Sequence, residues 1–227
     1  MVQPKLVIFD MDGTMLDTER LSLAGMIEAS RVMGYETTRE FYEEIIGRNA
    51  AYARKLAIER YGQDFDFERA HAIHLEYIDT HFEKYGVPIK PGLIAMLDRL
   101  EALGIKKCVA TSTAKARATH KLTLANLAHR FEVIVGGDEV AESKPNPEIF
   151  LKAAESCGVD PAECLVLEDS PAGAEAAARA GMPTILVPDI APLTEETRAK
   201  AVAVCADLLE ATELLSAMAD STAPSSL

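Results

Sequence analysis

Lys5-Leu-Val-Ile-Phe-Asp10-Met-Asp12-Gly13-Thr14 decides how the rest of the chain is read. Four apolar residues, 6–9, end abruptly in two carboxylates and a glycine. A short run of β-branched and aromatic residues reads as a buried strand. Asp10 then stands at the strand's carboxyl end. Asp12 follows two residues on, on the same side by strand alternation. Gly13 permits the turn that draws backbone amides inward, and Thr14 adds a hydroxyl. Open α/β sheets bind ligands just beyond the carboxyl ends of their strands. Two carboxylates placed there suit a hard cation and phosphoryl chemistry. The plainer reading is a strand that exits into a solvated acidic turn, and this stretch alone does not choose between the two.

Outward from it, residues 17–87 read as helices throughout. Asp17-Thr18-Glu19 is a helix start. Helical patterns follow over 20–33, 39–46, 50–61 and 67–85, with turns at Gly47, 62–64 and 86–88. From Pro91 onward, strands and helices alternate. The pattern predicts helices over 92–103, 115–125, 147–157 and 171–180, and strands over 107–111, 131–135, 164–167 and 184–187. A short strand at 202–205 and a helix at 208–218 follow. Such alternation implies βαβ units. The expected fold is α/β: a doubly wound, mostly parallel sheet core with an inserted all-helical cap. The core takes 1–16 and 88–227, and the cap takes 17–87. Two linkers, near 15–18 and 86–91, suit a hinge that closes over a substrate. Residues 220–227, rich in Ser, Thr, Ala and Pro, read as a frayed tail.

The bulk properties narrow the partners. A net charge of −13 over 227 residues excludes a continuous basic face for nucleic acid, and an anionic membrane would repel the chain. No apolar stretch reaches membrane-spanning length, and no charged-then-apolar leader opens the chain. Cys108, Cys157, Cys164 and Cys205 form no C-x-x-C pair. The expected setting is the reducing cytoplasm, with a small metabolite as partner rather than nucleic acid or membrane.

Four strand ends carry matching chemistry. The first gives Asp10 and Asp12, the second Thr111-Ser112-Thr113, the third, after a loop, Ser143-Lys144-Pro145, and the fourth Glu168-Asp169-Ser170. Each should lie along one sheet edge. Carboxylates, a hydroxyl and a lysine converging there suit a phosphoryl group bound with Mg²⁺, since crowded acids repel unless a cation offsets them. Each residue also has a plainer reading. Thr111 reads as a turn hydroxyl and Lys144 as a surface lysine. Asp169 or Ser170 reads as a helix N-cap before Pro171. Their joint occurrence, in this order, is what favours the functional reading.

The same residues carry a family resemblance. The chain resembles the haloacid dehalogenase superfamily, and within it the phosphatases and phosphomutases related to β-phosphoglucomutase. Asp10-Met-Asp12-Gly13-Thr14 matches the first motif, Thr111 the second, Lys144 the third and Glu168-Asp169 the fourth. The resemblance implies that Asp10 is the nucleophile that becomes an aspartyl phosphate. It implies that Asp12 protonates the leaving group and later activates water. Thr111, Ser112 and Lys144 would hold the phosphate. Asp10, the carbonyl of Asp12, and Asp169 would bind Mg²⁺, with Glu168 assisting. Asp12 must be protonated in one half-reaction and ionised in the other, so its pKa is expected to be tuned upward by acidic neighbours. The resemblance also implies that dehalogenases lack this second acid, which argues against carbon–halogen cleavage.

The expected function is therefore a Mg²⁺-dependent phosphatase acting on a small phosphorylated metabolite, with sugar phosphates as one class. A β-phosphoglucomutase-like phosphomutase and a non-enzymatic phospho-receiver are the alternatives. The resemblance implies that such mutases carry a histidine four residues past the hinge threonine, where this chain has Ser22 after Thr18. It also implies a Ser-Lys-Asn run where this chain has Thr113-Ala114-Lys115. Substrate choice is expected in the cap. Arg48 and Asn49, in a loop after Gly47, are the candidate substrate contacts. Thr18 and Glu19 lie at the hinge, where they either face the cleft or, as the simpler reading has it, cap a helix. His71 and His74, three apart, are spaced to share a metal but lack accompanying carboxylate ligands, so a packed or solvated face is the simpler reading.

Overall fold

The computed structural model describes residues 3–222. Among the described residues six strands, β1 (Leu6–Phe9), β2 (Lys106–Ala110), β3 (Ile134–Val135), β4 (Cys164–Glu168), β5 (Thr184–Leu186) and β6 (Ala203–Val204), form one sheet. Their order is β3-β2-β1-β4-β5-β6, and every pairing is parallel. All four residues of β1 are buried, as a central strand covered on both faces requires. Phe9 pairs with Val109 on one side and Leu167 on the other. That register ends β1, β2 and β4 nearly level, so Asp10, Thr111 and Asp169 emerge together. The strand order reverses beside β1, the switch point at which such sheets bind ligands.

The helices are α1 (Glu19–Met33), α2 (Arg39–Ile45), α3 (Ala50–Tyr61), α4 (Phe67–Tyr85), α5 (Leu93–Ala102), α6 (Lys115–Leu124), α7 (Glu148–Cys157), α8 (Pro171–Arg179), α9 (Glu195–Ala199) and α10 (Leu208–Thr222). Strand alternation feeds two cores. Val7, Phe9, Val109 and Leu165 pack on one face with Leu97 of α5 and Leu208 of α10. Leu6, Ile8, Cys108 and Val166 pack on the other with Phe150 of α7 and Ala177 of α8. The α/β, doubly wound sheet with helices inserted after its first strand is thus the architecture. No helix among the described residues is long and apolar enough to cross a membrane.

Helices α1–α4 all lie between β1 and α5, and the chain enters and leaves them side by side. The Asp17 amide donates to the Pro88 carbonyl (3.0 Å) and the Lys90 amide to the Met15 carbonyl (2.9 Å). A buried carboxylate, Asp189, accepts from Lys90 Nζ at 2.8 Å and from Arg20 at 2.9 Å.

Two local expectations fail and one short helix goes unsignalled in the sequence, each for an identifiable reason. The strand expected over 131–135 shrinks to two residues, because Ala128–Arg130 form a 3₁₀ turn and Phe131 packs edge-on against Phe9 (centroids 5.9 Å). Helix α9 is too short to show a period; the Thr194 hydroxyl caps it by accepting from the Thr197 amide (3.1 Å). Helix α10 continues to Thr222, so residues 220–222 are helical rather than frayed, and 223–227 lie outside the described residues.

Candidate active site

The chain leaves β1 with Asp10 still tied to the sheet, its amide donating to the Leu167 carbonyl at 2.9 Å. Gly13 then turns back with φ +89°, where a Cβ would stand 2.3 Å from Asp169 Oδ2. Only glycine meets both conditions, and it lets the first motif close over the fourth. Asp10 Oδ1 accepts from Lys144 Nζ at 2.5 Å, and the same ammonium donates to Glu168 Oε1 at 2.6 Å. Lys144 has no solvent exposure. Burial would push its pKa down, but the Asp10 and Glu168 carboxylates outweigh burial and hold it above its usual range.

Glu168 was expected among the metal ligands, but its oxygens are engaged elsewhere. Oε1 takes Lys144, and Oε2 accepts from the amides of Asp169 (2.9 Å) and Ser170 (2.8 Å) and from the Ser170 hydroxyl (3.0 Å). Glu168 therefore counterbalances and orients Lys144. Helix α8 starts against this carboxylate, with Ser170 as its N-cap and Pro171 at its first position.

Asp169 Oδ1 accepts from Thr14 Oγ1 at 3.1 Å, while Oδ2 is buried with no hydrogen-bond partner among the described residues. Burial raises the Asp169 carboxyl pKa, and the Glu168 and Asp10 charges raise it further. Asp10 is also raised, by burial first, with Lys144 opposing. Two buried carboxyls strained in this way, one with a free oxygen, are a donor set that a hard cation would relieve. Among the described residues no three His, Cys, Asp or Glu side chains cluster as metal ligands. Asp10 and Asp169 supply the one or two carboxylates that suit a hard cation such as Mg²⁺, whose remaining ligands come from carbonyl, phosphate and water oxygens.

Asp12 points elsewhere and is gripped from three sides. Its Oδ1 accepts from Thr18 Oγ1 (2.5 Å) and Lys121 Nζ (2.7 Å), and its Oδ2 from Thr113 Oγ1 (2.8 Å). Two expectations fall here. Thr18 precedes α1 but makes no side-chain cap; its hydroxyl is used on Asp12 instead. The Asp12 pKa is lowered, not raised: burial pushes it up, but Lys121 and the three hydrogen bonds prevail. Lys121 was absent from the sequence reading. Its signal is its place on the buried face of α6, with Ala118 and Leu122, where a lysine is out of pattern.

Thr111 is buried just past β2, its amide donating to the Val135 carbonyl (3.0 Å) and its hydroxyl accepting from the Thr113 amide (3.1 Å). Ser112, a phosphate-binding candidate, instead donates its hydroxyl to the Gly47 carbonyl at 2.6 Å. Arg48 donates to the Lys144 carbonyl and lies over the Tyr52 ring at 4.3 Å. Asn49, the other cap candidate, caps α3 by accepting from the Tyr52 amide at 3.0 Å. A further tie joins Asp79 of α4 to Arg117 of α6 (2.9 Å). Loop 47–49 is therefore seated on the ends of β2 and the Lys144 loop.

Glu19, in the first turn of α1, is buried and lines the cleft. Tyr42 donates its hydroxyl to the Glu19 carboxylate and to the Glu19 carbonyl (2.9 Å). Burial, with the Asp12 charge, pushes its carboxyl up to about 7. His74 meets Ser22 Oγ at 3.0 Å, and burial drives its pKa down to about 4. His71 stacks on Phe67. A cavity of about 400 Å³ runs from Asp10, Asp12 and Thr111 past Arg48 into the space between α1, α3 and α4.

The family model for haloacid dehalogenase-like hydrolases matches residues 7–187. The phosphorylated carbohydrates phosphatase of Thermotoga maritima is 33% identical over 182 residues, covering 79% of this chain and 82% of that protein. The crystal structure of CbbY from Rhodobacter sphaeroides in complex with phosphate superimposes with a TM-score of 0.79 at 27% identity, covering 91% and 96% of the two chains. β-Phosphoglucomutase from Clostridium difficile shares the fold, with a TM-score of 0.80 at 22% identity over 97% and 98%.

Proposed function

This chain belongs to the haloacid dehalogenase-like hydrolase family and is a phosphatase; we propose that it hydrolyses small phosphorylated metabolites with Mg²⁺, through an aspartyl phosphate on Asp10. Residues 17–87 would act as the cap over a core of 1–16 and 88–227. Four free thiols suit a cytoplasmic setting. One observation carries the reading: Asp10 and Asp169 are buried together, Asp169 Oδ2 has no partner, and a fully buried Lys144 touches the other acid.

In the first half-reaction an Asp10 oxygen attacks phosphorus, the ester P–O bond breaks, and the departing alkoxide takes a proton from Asp12. Asp12 rests ionised beside Lys121, and a phosphate dianion next to it favours the protonated form this step needs. In the second, Asp12 takes a proton from water, whose oxygen attacks the aspartyl phosphate and frees Asp10 and phosphate. Lys144 and Thr111 orient the phosphoryl oxygens throughout. Asp10, Asp169 and the Asp12 carbonyl would hold Mg²⁺, which offsets the repulsion between carboxylate and phosphate.

Hydrolysis is favoured over a mutase by Ser22. The position where the mutase resemblance implies a histidine holds a serine, and the imidazole that reaches it, His74, is neutral at pH 7. The relative named for phosphorylated carbohydrates makes sugar phosphates the first class to assay. Phosphate release from a panel of phosphorylated metabolites should require Mg²⁺, vanish with EDTA and need no sugar bisphosphate. Ca²⁺ should inhibit, since its looser, higher coordination misplaces Asp10. Full activity after exhaustive chelation refutes the site. β-Glucose 1-phosphate giving glucose 6-phosphate faster than free phosphate overturns hydrolysis in favour of the mutase while leaving the site intact.

A further inference from the structure

The cavity behind the phosphate site has a chemistry that the reaction does not use. Its core end is lined by Asp10, Asp12, Thr111 and Lys121, but its far end lies between helices. Helices α3 and α4 contribute no charged residue to its wall. Ala53 and Ala57 of α3, Ala29 of α1 and Ala70 of α4 all line it, small side chains at positions where a closed helix interface would interdigitate larger ones. Tyr35, Tyr61 and Phe65 also line it, and their rings pack on one another at 4.8–4.9 Å. The Tyr61 hydroxyl is spent on the Glu36 carbonyl (2.9 Å). Of the polar groups between the two ends, Ser22 meets His74, Tyr42 donates to Glu19, Arg117 pairs with Asp79, and His71 stacks on Phe67. A volume of about 400 Å³ is in the range of small-molecule pockets.

We propose that the substrate is the phosphate monoester of an alcohol with an apolar body, aliphatic or aromatic, and that this body occupies the chamber between α1, α3 and α4. The inference rests on the phosphatase reading above and adds the leaving group. With the phosphoryl group held at Asp10 and Lys144, the alcohol must extend past Arg48 and Glu19 toward the cap. A compact polyol would fill only the polar mouth. Pushed deeper, it would bury hydroxyls against alanine and aromatic carbon without partners, which is costly. An apolar body gains there instead, and it fills a void whose emptiness destabilises the cap.

The test is a series of n-alkyl phosphates from ethyl to octyl, assayed with Mg²⁺ beside glucose 6-phosphate and p-nitrophenyl phosphate. Leaving-group basicity barely changes along the alkyl series, so its slope reads the chamber rather than the chemistry. The expected result is a kcat/KM that climbs about three- to fourfold per methylene until the chamber is full, and an octyl ester preferred to glucose 6-phosphate. Ala57→Leu should cut kcat/KM for octyl phosphate at least tenfold and leave ethyl phosphate within twofold. Ala53→Leu, at a less buried position, gives the same readout should Ala57→Leu fail to fold. A flat chain-length profile with p-nitrophenyl phosphate still hydrolysed overturns the chamber alone. No hydrolysis of any ester overturns the phosphatase reading beneath it.

Discussion

At the core end of the cavity, Lys144 is shared by Asp10 and Glu168 at 2.5 and 2.6 Å, and Asp12 is held by three donors. At the cap end, the cavity is lined by alanines and by a cluster of tilted and edge-on aromatic rings. The first region is crowded with charge and admits almost no rearrangement. The second is apolar and roomy. Parallel register explains the difference. Strand ends fix functional groups to within one residue, as phosphoryl transfer demands. Helix faces set only size and polarity, which is what selectivity among esters requires. Four predictions break or sharpen this contrast.

The largest effect should come from Asp10→Asn, a near-isosteric change that removes the nucleophile. Turnover should fall by at least ~10³-fold while the circular dichroism spectrum and cooperative melting persist. A variant that keeps a few per cent of wild-type phosphate release would place the nucleophile elsewhere.

Lys121→Met comes next. It strips Asp12 of its counter-charge, so kcat/KM should drop on the order of 10²-fold. Because Lys121 holds the Asp12 carboxyl below its ordinary range, the limb of the pH–rate profile that reports Asp12 should move to higher pH. A profile of unchanged shape would mean that Lys121 only fills space.

Arg48→Ala crosses from one region to the other. It should lower kcat/KM about tenfold for a full-length substrate and less for ethyl phosphate, which barely reaches the cap. Equal losses on both would assign Arg48 to the phosphate end through its contact with the Lys144 carbonyl.

The smallest effect is on stability, at Glu19. Its folded-state carboxyl, pushed up to about 7 from an ordinary 4.5, binds a proton more tightly than the unfolded chain does. Its contribution is therefore complete below about pH 4.5 and is lost as pH rises through 7. Melted in EDTA, the wild type should lose more Tm between pH 5 and pH 8 than Glu19→Gln does, by on the order of 5 °C. Parallel losses in the two proteins would show that Glu19 ionises normally.

The same contrast governs what could be read without coordinates. The sheet was legible because 6–9 and 164–167 are apolar runs that end in acids, and the helices after β1 because α1 and α4 carry clear helical periods with turns between them. Asp10, Thr111, Lys144 and Asp169 were legible because each follows a strand at a motif position. Lys121 was not, since it lies ten residues beyond Thr111 and meets Asp12 only after α6 folds back. The fate of Glu168 was hidden too: its sequence neighbour Asp169 is bare at Oδ2, and only the reach of Lys144 separates their roles. The chamber is written as alanines, which in sequence are merely good helix formers.

The linkers have a consequence for how such chains are remodelled. Leu16 and Ile89 form an antiparallel bridge, with Asp17 and Lys90 hydrogen-bonded to the opposite strand. Residues across such a bridge stand only about 5 Å apart. The intervening helices thus depart and return through a gap that a two- or three-residue loop can close. In evolutionary terms the segment is a cassette: it can be exchanged for another of different length while β1, Asp10 and the register of the sheet stay where they are.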